Sequence, residues 1–152
     1  MTAALLIDLD GALGDTRALW DDWLAGAAKM LGIDPAKLPA DRAAAAGTLD
    51  ASGAGNWRSL LERFAEDRAP VYLRPSAEAS AALRRLTASG RRLGVFTDAP
   101  AELAAVALAQ LGAARRLEAV EAGSDALDRL RTRLGPDATV VSTRAELVAA
   151  AT

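Results

Sequence analysis

The chain contains no histidine and no cysteine in 152 residues. The first absence removes Ser–His and Cys–His catalysis, zinc–histidine sites and any imidazole acid or base. The second excludes disulfides and thiolate metal sites. Lysine is almost as scarce, occurring at Lys29 and Lys37 alone. Chemistry must therefore come from carboxylates, hydroxyls, guanidinium groups, these two lysines or backbone amides. The formal charge is −2, with no basic block, which argues against a general nucleic-acid binder. No apolar run approaches the roughly 20 residues needed to span a bilayer. The stretch from Met1 to Ile7 carries no basic leader and no cleavage-site pattern. These absences predict a soluble cytoplasmic protein with no nucleic-acid and no membrane partner.

Hydrophobic residues make up 51% of the chain, enough for a real core. The length implies one domain, or a core with one modest insertion. Apolar runs bounded by turn or polar residues predict strands at 3–9, 92–97, 117–121 and 138–142. Helical periodicity lies between them, at 77–89, 100–111 and 125–134. Strands alternating with helices imply an α/β fold with a parallel sheet and right-handed crossovers.

The first crossover is unusual. Between Leu9 and Arg92 the chain runs for roughly 80 residues, far beyond what a βαβ unit requires. Amphipathic helices are predicted at 16–31 and 57–67, with a shorter one around 41–46. All three tryptophans, Trp20, Trp23 and Trp57, fall in this stretch. It reads as a helical lobe over 16–73 with its own small core, inserted into a domain formed by 1–15 and 74–152.

The first strand ends in Ile7-Asp8-Leu9-Asp10-Gly11-Ala12-Leu13. Ligands of parallel α/β sheets sit at the C-terminal strand ends. Two carboxylates two residues apart point to the same side there. One can serve as a nucleophile and the other as a general acid or base. Gly11 permits a sharp turn after them. The plain alternative is that both aspartates only make turns and caps, but charge at a buried strand end is expensive without a purpose.

Asp8-Leu9-Asp10-Gly11-Ala12-Leu13, followed by Asp15-Thr16, resembles the first signature of the haloacid dehalogenase superfamily. Gly94-Val95-Phe96-Thr97-Asp98 resembles the second. The 16–73 lobe lies where phosphoglycolate-phosphatase-like members carry a helical cap. The resemblance implies a Rossmann-like core with four strands ordered 4-1-2-3. It implies a magnesium-dependent phosphatase acting on a small phosphorylated metabolite through an aspartyl-phosphate. Asp8 is then the nucleophile and Asp10 the acid/base. Asp8 and Asp10 would hold Mg2+, and Thr97 and Gly11 would hold the phosphate. The alternative is a binding protein on the same scaffold, holding a phosphate ligand or a protein partner without turnover.

Three positions depart from the family's pattern. Ala12 stands where a threonine is usual. No lysine follows the cap, so the third signature is missing. The strand at 138–142 leads into Ser142-Thr143-Arg144 rather than a metal-binding aspartate. Asp98, Glu121, Asp125 and Glu146 fall near strand ends, but caps are commoner than metal ligands. Asp98 is expected to cap the helix after it, Asp125 or Ser124 the next, and Thr143 with Glu146 forms a capping box. Arg144 either faces the phosphate with a two-pronged contact or is a solvated surface arginine. Arg58 or Arg42 in the cap is a candidate for contacting the substrate, but surface placement is the commoner outcome and is expected. The open edge at 138–142 predicts a weak homodimer.

Overall fold

The computed structural model describes residues 3–152. Four short parallel strands form the centre: β1 (Leu5–Asp8), β2 (Leu93–Thr97), β3 (Ala119–Ala122) and β4 (Thr139–Val141). Their order is β3-β2-β1-β4, which is 4-1-2-3 read from the other edge. Leu6 pairs with Gly94 on one side and Val140 on the other, so β1 is hydrogen-bonded along both edges.

Side chains alternate across a strand, so β1 feeds two cores. Leu5 and Ile7 join Leu93, Val95 and Val141 on one face. That face is covered by α4 (Ala77–Ala88), α5 (Ala101–Gln110) and α7 (Arg144–Ala150). Leu6 points the opposite way, against Leu130 and Leu134 of α6 (Ala126–Leu134). Gly94 lets α6 lie close to the sheet, because a Cβ there would stand 2.5 Å from Leu134 Cδ1.

The first crossover contains α1 (Arg17–Leu31), α2 (Arg42–Ala51) and α3 (Trp57–Tyr72). Trp20, Trp23 and Trp57 meet at its centre, with ring centroids 5.4 to 6.4 Å apart. The Trp57 Nε1 donates to Asp50, which satisfies its one polar atom. Ala99, just before α5, and Leu103, in its first turn, belong to the same apolar cluster. The helical lobe is therefore packed onto the sheet domain rather than hung from it.

Some boundaries differ from the sequence expectation. The helix predicted at 57–67 continues to Tyr72, with Pro70 inside its last turn. Its buried face, Leu61, Ala65 and Ala69, carries it past the proline. The third strand starts at Ala119 rather than Leu117, because Ala114–Arg116 form a tight turn first. Among the described residues no helix is long and apolar enough to cross a membrane.

Candidate functional site

Asp8 is the last residue of β1, and the chain then makes a wide turn through Leu9–Leu13. The amide of Gly14 closes it on the carbonyl of Leu9. Gly11 sits in this turn at φ +113°, and a Cβ there would stand 2.6 Å from the Ser142 carbonyl oxygen. Only glycine fits that conformation and that approach. Its amide donates to the Gly14 carbonyl at 2.7 Å. Gly11 therefore shapes the turn, and its N–H is not free for the phosphate expected there.

The turn gives the two carboxylates different surroundings. The Asp10 side chain is largely covered and fully engaged. Its Oδ1 accepts from the Thr16 amide at 2.8 Å and the Thr16 hydroxyl at 2.7 Å. Its Oδ2 accepts from the Thr97 hydroxyl at 2.9 Å and from Nη2 of Arg42. Asp8 is half-buried. Among the described residues one hydrogen bond reaches its carboxylate, from the Asp10 amide at 3.1 Å. Burial, followed by the nearby charge of Asp10, pushes its carboxyl up to about 6.

Arg42 takes a place that neither expectation for it described. The expectation of a surface position fails: it is 4% exposed and projects from the cap into the aspartate cluster. Asp41 caps α2 by accepting from the Ala44 amide, which makes Arg42 the first helical residue. The Arg42 amide then donates to Asp98 Oδ2 at 3.1 Å. Its Nε and Nη2 donate to Asp98 Oδ1 at 3.1 and 2.8 Å. Nη1 donates to the Thr16 hydroxyl at 2.6 Å, and Nη2 completes the pair with Asp10. Burial raises the Asp98 carboxyl, but the Arg42 hydrogen bonds and charge outweigh it and hold it below its ordinary range. An Ala-rich helix with an arginine at its start carries no local signal that the guanidinium turns inward. That orientation depends on how the lobe docks.

Other expected residues take different places. Asp98 does not cap α5, whose N-cap is Pro100; it is the partner of Arg42. Asp125 occupies the N-cap of α6 without a side-chain capping bond. Glu121 pairs with Arg129 and Arg133 on α6, both at 2.9 Å. The Glu146 amide donates to the Thr143 hydroxyl, the first half of a capping box, while its carboxylate accepts from that hydroxyl and from the Ser142 amide rather than from the Thr143 amide. Arg144 donates to the backbone carbonyls of Ala12 and Leu13 at 2.6 and 3.1 Å. It props the turn rather than facing a phosphate, because those two carbonyls lie within its reach as α7 begins. Thr97 lines the cavity, with its hydroxyl proton directed at Asp10.

That cavity has a volume of about 550 Å3. Asp8, Asp41, Asp98, Asp125 and Asp128 line it, with no lysine or arginine in its wall. The donor set does not fit the magnesium expected at Asp8 and Asp10. Mg2+ demands near-ideal octahedral oxygen ligation. Here both Asp10 oxygens are taken, and a guanidinium sits against one of them. No group of three acidic side chains among the described residues stands close enough to hold a metal.

No protein-family model and no curated protein matches the chain. Solved structures share its architecture. CbbY from Rhodobacter sphaeroides in complex with phosphate aligns with a TM-score of 0.65 at 17% identity, over 99% of this chain and 84% of that one. A HAD phosphatase from Thermococcus onnurineus aligns with a TM-score of 0.56 at 19% identity, over 93% and 77%. L-2-haloacid dehalogenase from Xanthobacter autotrophicus aligns with a TM-score of 0.51 at 19% identity, over 93% and 69%. With its four-stranded parallel sheet and the helices inserted after the first strand, the chain thus has the fold of these solved structures.

Proposed function

We propose that the chain is a hydrolase of the haloacid dehalogenase type, acting slowly on a small phosphorylated metabolite through covalent catalysis by Asp8. The observation that carries this reading is the position of Asp8. It ends β1, lines the 550 Å3 cavity, and accepts one hydrogen bond among the described residues. An Oδ of Asp8 attacks phosphorus, the ester P–O bond breaks, and the leaving oxygen takes a proton from Asp10. Water then attacks the aspartyl-phosphate, Asp10 accepts its proton, and inorganic phosphate leaves. Asp10 can do this only after Arg42 and Thr97 release its Oδ2.

Low turnover is the consequence of the charge balance. Phosphoryl transfer relies on cations to offset negative charge. Here the cavity wall is carboxylate-rich and the buried cation is bound to Asp10 and Asp98. The loss of a single stabilising donor typically costs about 10²–10³ in rate. That same balance favours a second reading, a protein that binds its ligand here without turnover.

Release of p-nitrophenol from p-nitrophenyl phosphate separates the two. The hydrolase reading expects slow release that disappears in Asp8→Asn. Wild-type protein that releases none, with or without added divalent metal, leaves the binding reading.

A further inference from the structure

We infer that Arg42 is an autoinhibitory pin: while α2 is docked it withholds Asp10 from the cavity, and movement of α2 alone releases it. This rests on the reading of Asp10 as the acid/base given above.

Asp10 cannot move a proton where it stands. The cavity wall includes Asp8 and Thr97 but not Asp10. A carboxylate offers about four lone-pair positions. Asp10 accepts from four donors: the Thr16 amide and hydroxyl on Oδ1, the Thr97 hydroxyl and Arg42 Nη2 on Oδ2. One donor must leave before Oδ2 can take a proton from water.

Arg42 is the donor that can leave. Thr97 ends β2 and is paired with Ala122 in the sheet. Thr16 is fully buried at the entrance to α1. Arg42 belongs to α2, whose other buried residues are Ala45, Ala46 and Leu49. α1 and α3 are anchored instead by the three tryptophans. Movement of α2 therefore exposes the least apolar surface in the lobe. The chain leaves α2 through Gly53 and Gly55, where no packed neighbour lies within 4 Å of the place a Cβ would take. Asp98 supplies the hold, accepting from the Arg42 amide, Nε and Nη2. A lightly footed helix fastened by one buried cation is a gate, and its closed state blocks the acid/base. An arginine that served the phosphate directly would act in the opposite sense, because its removal would slow the reaction.

The test is steady-state hydrolysis of p-nitrophenyl phosphate, with hydrogen exchange measured on the same proteins. R42Q and D98N each unpin α2. In both, kcat is expected to rise at least about fivefold as the competent fraction grows. Exchange across residues 42–51 is expected to quicken in both, with residues 57–72 unchanged. The kcat gain is expected to vanish when D10N is added, because it is exerted through Asp10. Wild type turning over as fast as the folded variants, or faster, would overturn the inference and leave the hydrolase reading standing. So would a gain that survives D10N, or quickened exchange that spreads through 57–72. Should R42Q not fold, D98N, which keeps Arg42 beside Asp10, decides the matter. No release from wild type, R42Q or D98N would sink the hydrolase reading and the inference with it.

Discussion

Asp8 and Asp10 are two residues apart and have different hydrogen-bonding surroundings. Four hydrogen-bond donors hold Asp10, whereas Asp8 keeps one and is raised to about 6. Between the ordinary 3.8 and about 6, the folded chain retains a proton at Asp8 that the unfolded chain releases. Stability from this group therefore falls as pH rises through that window, and above it the penalty is complete. Asp8→Asn should raise the thermal midpoint at pH ~7.5, and the gain should vanish below about pH 4, where both states are protonated. Paired melting curves at the two pH values check this. Turnover that depends on ionised Asp8 should rise with pH through about 6. Arg42→Ala leaves Asp10 buried without its cation. Breaking a buried pair in this way typically costs about 3–5 kcal/mol, measurable by urea unfolding. The aspartate pair was legible in the sequence because two charges close an apolar strand. The inward turn of Arg42 was not, because it is decided by contacts 32 and 56 residues away.

At the scale of secondary structure, β1 and β2 were readable because each is a short apolar run stopped by a polar residue. The third strand was displaced by two residues, since Leu117 and Glu118 look as strand-like as Ala119 and Val120 but form the exit from a tight turn. α3 outran its expected end because burial of Ala69 outweighs the bond lost at Pro70. The close packing of α6 on β2 makes a sharp prediction. Gly94→Ala puts a methyl group 2.5 Å from Leu134 and 2.9 Å from Leu130. Overpacking of this kind typically costs about 1–3 kcal/mol, with no change at the aspartates. At the other end of the scale, Ser76 caps α4 through the Ala79 amide. Ser76→Ala should cost about 1 kcal/mol by denaturant unfolding.

Across the whole molecule, the lobe and the sheet domain share apolar surface. Ala99 and Leu103 lie in the tryptophan cluster, Arg58 of α3 reaches Glu102 of α5, and Arg42 joins the aspartates. Unfolding should therefore be a single transition. All three tryptophans report on the lobe, so fluorescence and far-ultraviolet circular dichroism should melt together. Two separated midpoints would show that the lobe is independent. Leu103→Ala, typically costing about 2–5 kcal/mol, should move both signals equally.

The division of labour at the guanidinium also bears on protein engineering. Lobes of this kind invite exchange, as modules that reshape an entrance while leaving the reactive floor alone. In this chain a transplanted lobe would strip the floor of its positive charge and leave Asp10 buried beside empty space. A workable chimaera must bring an arginine at the opening residue of its second helix.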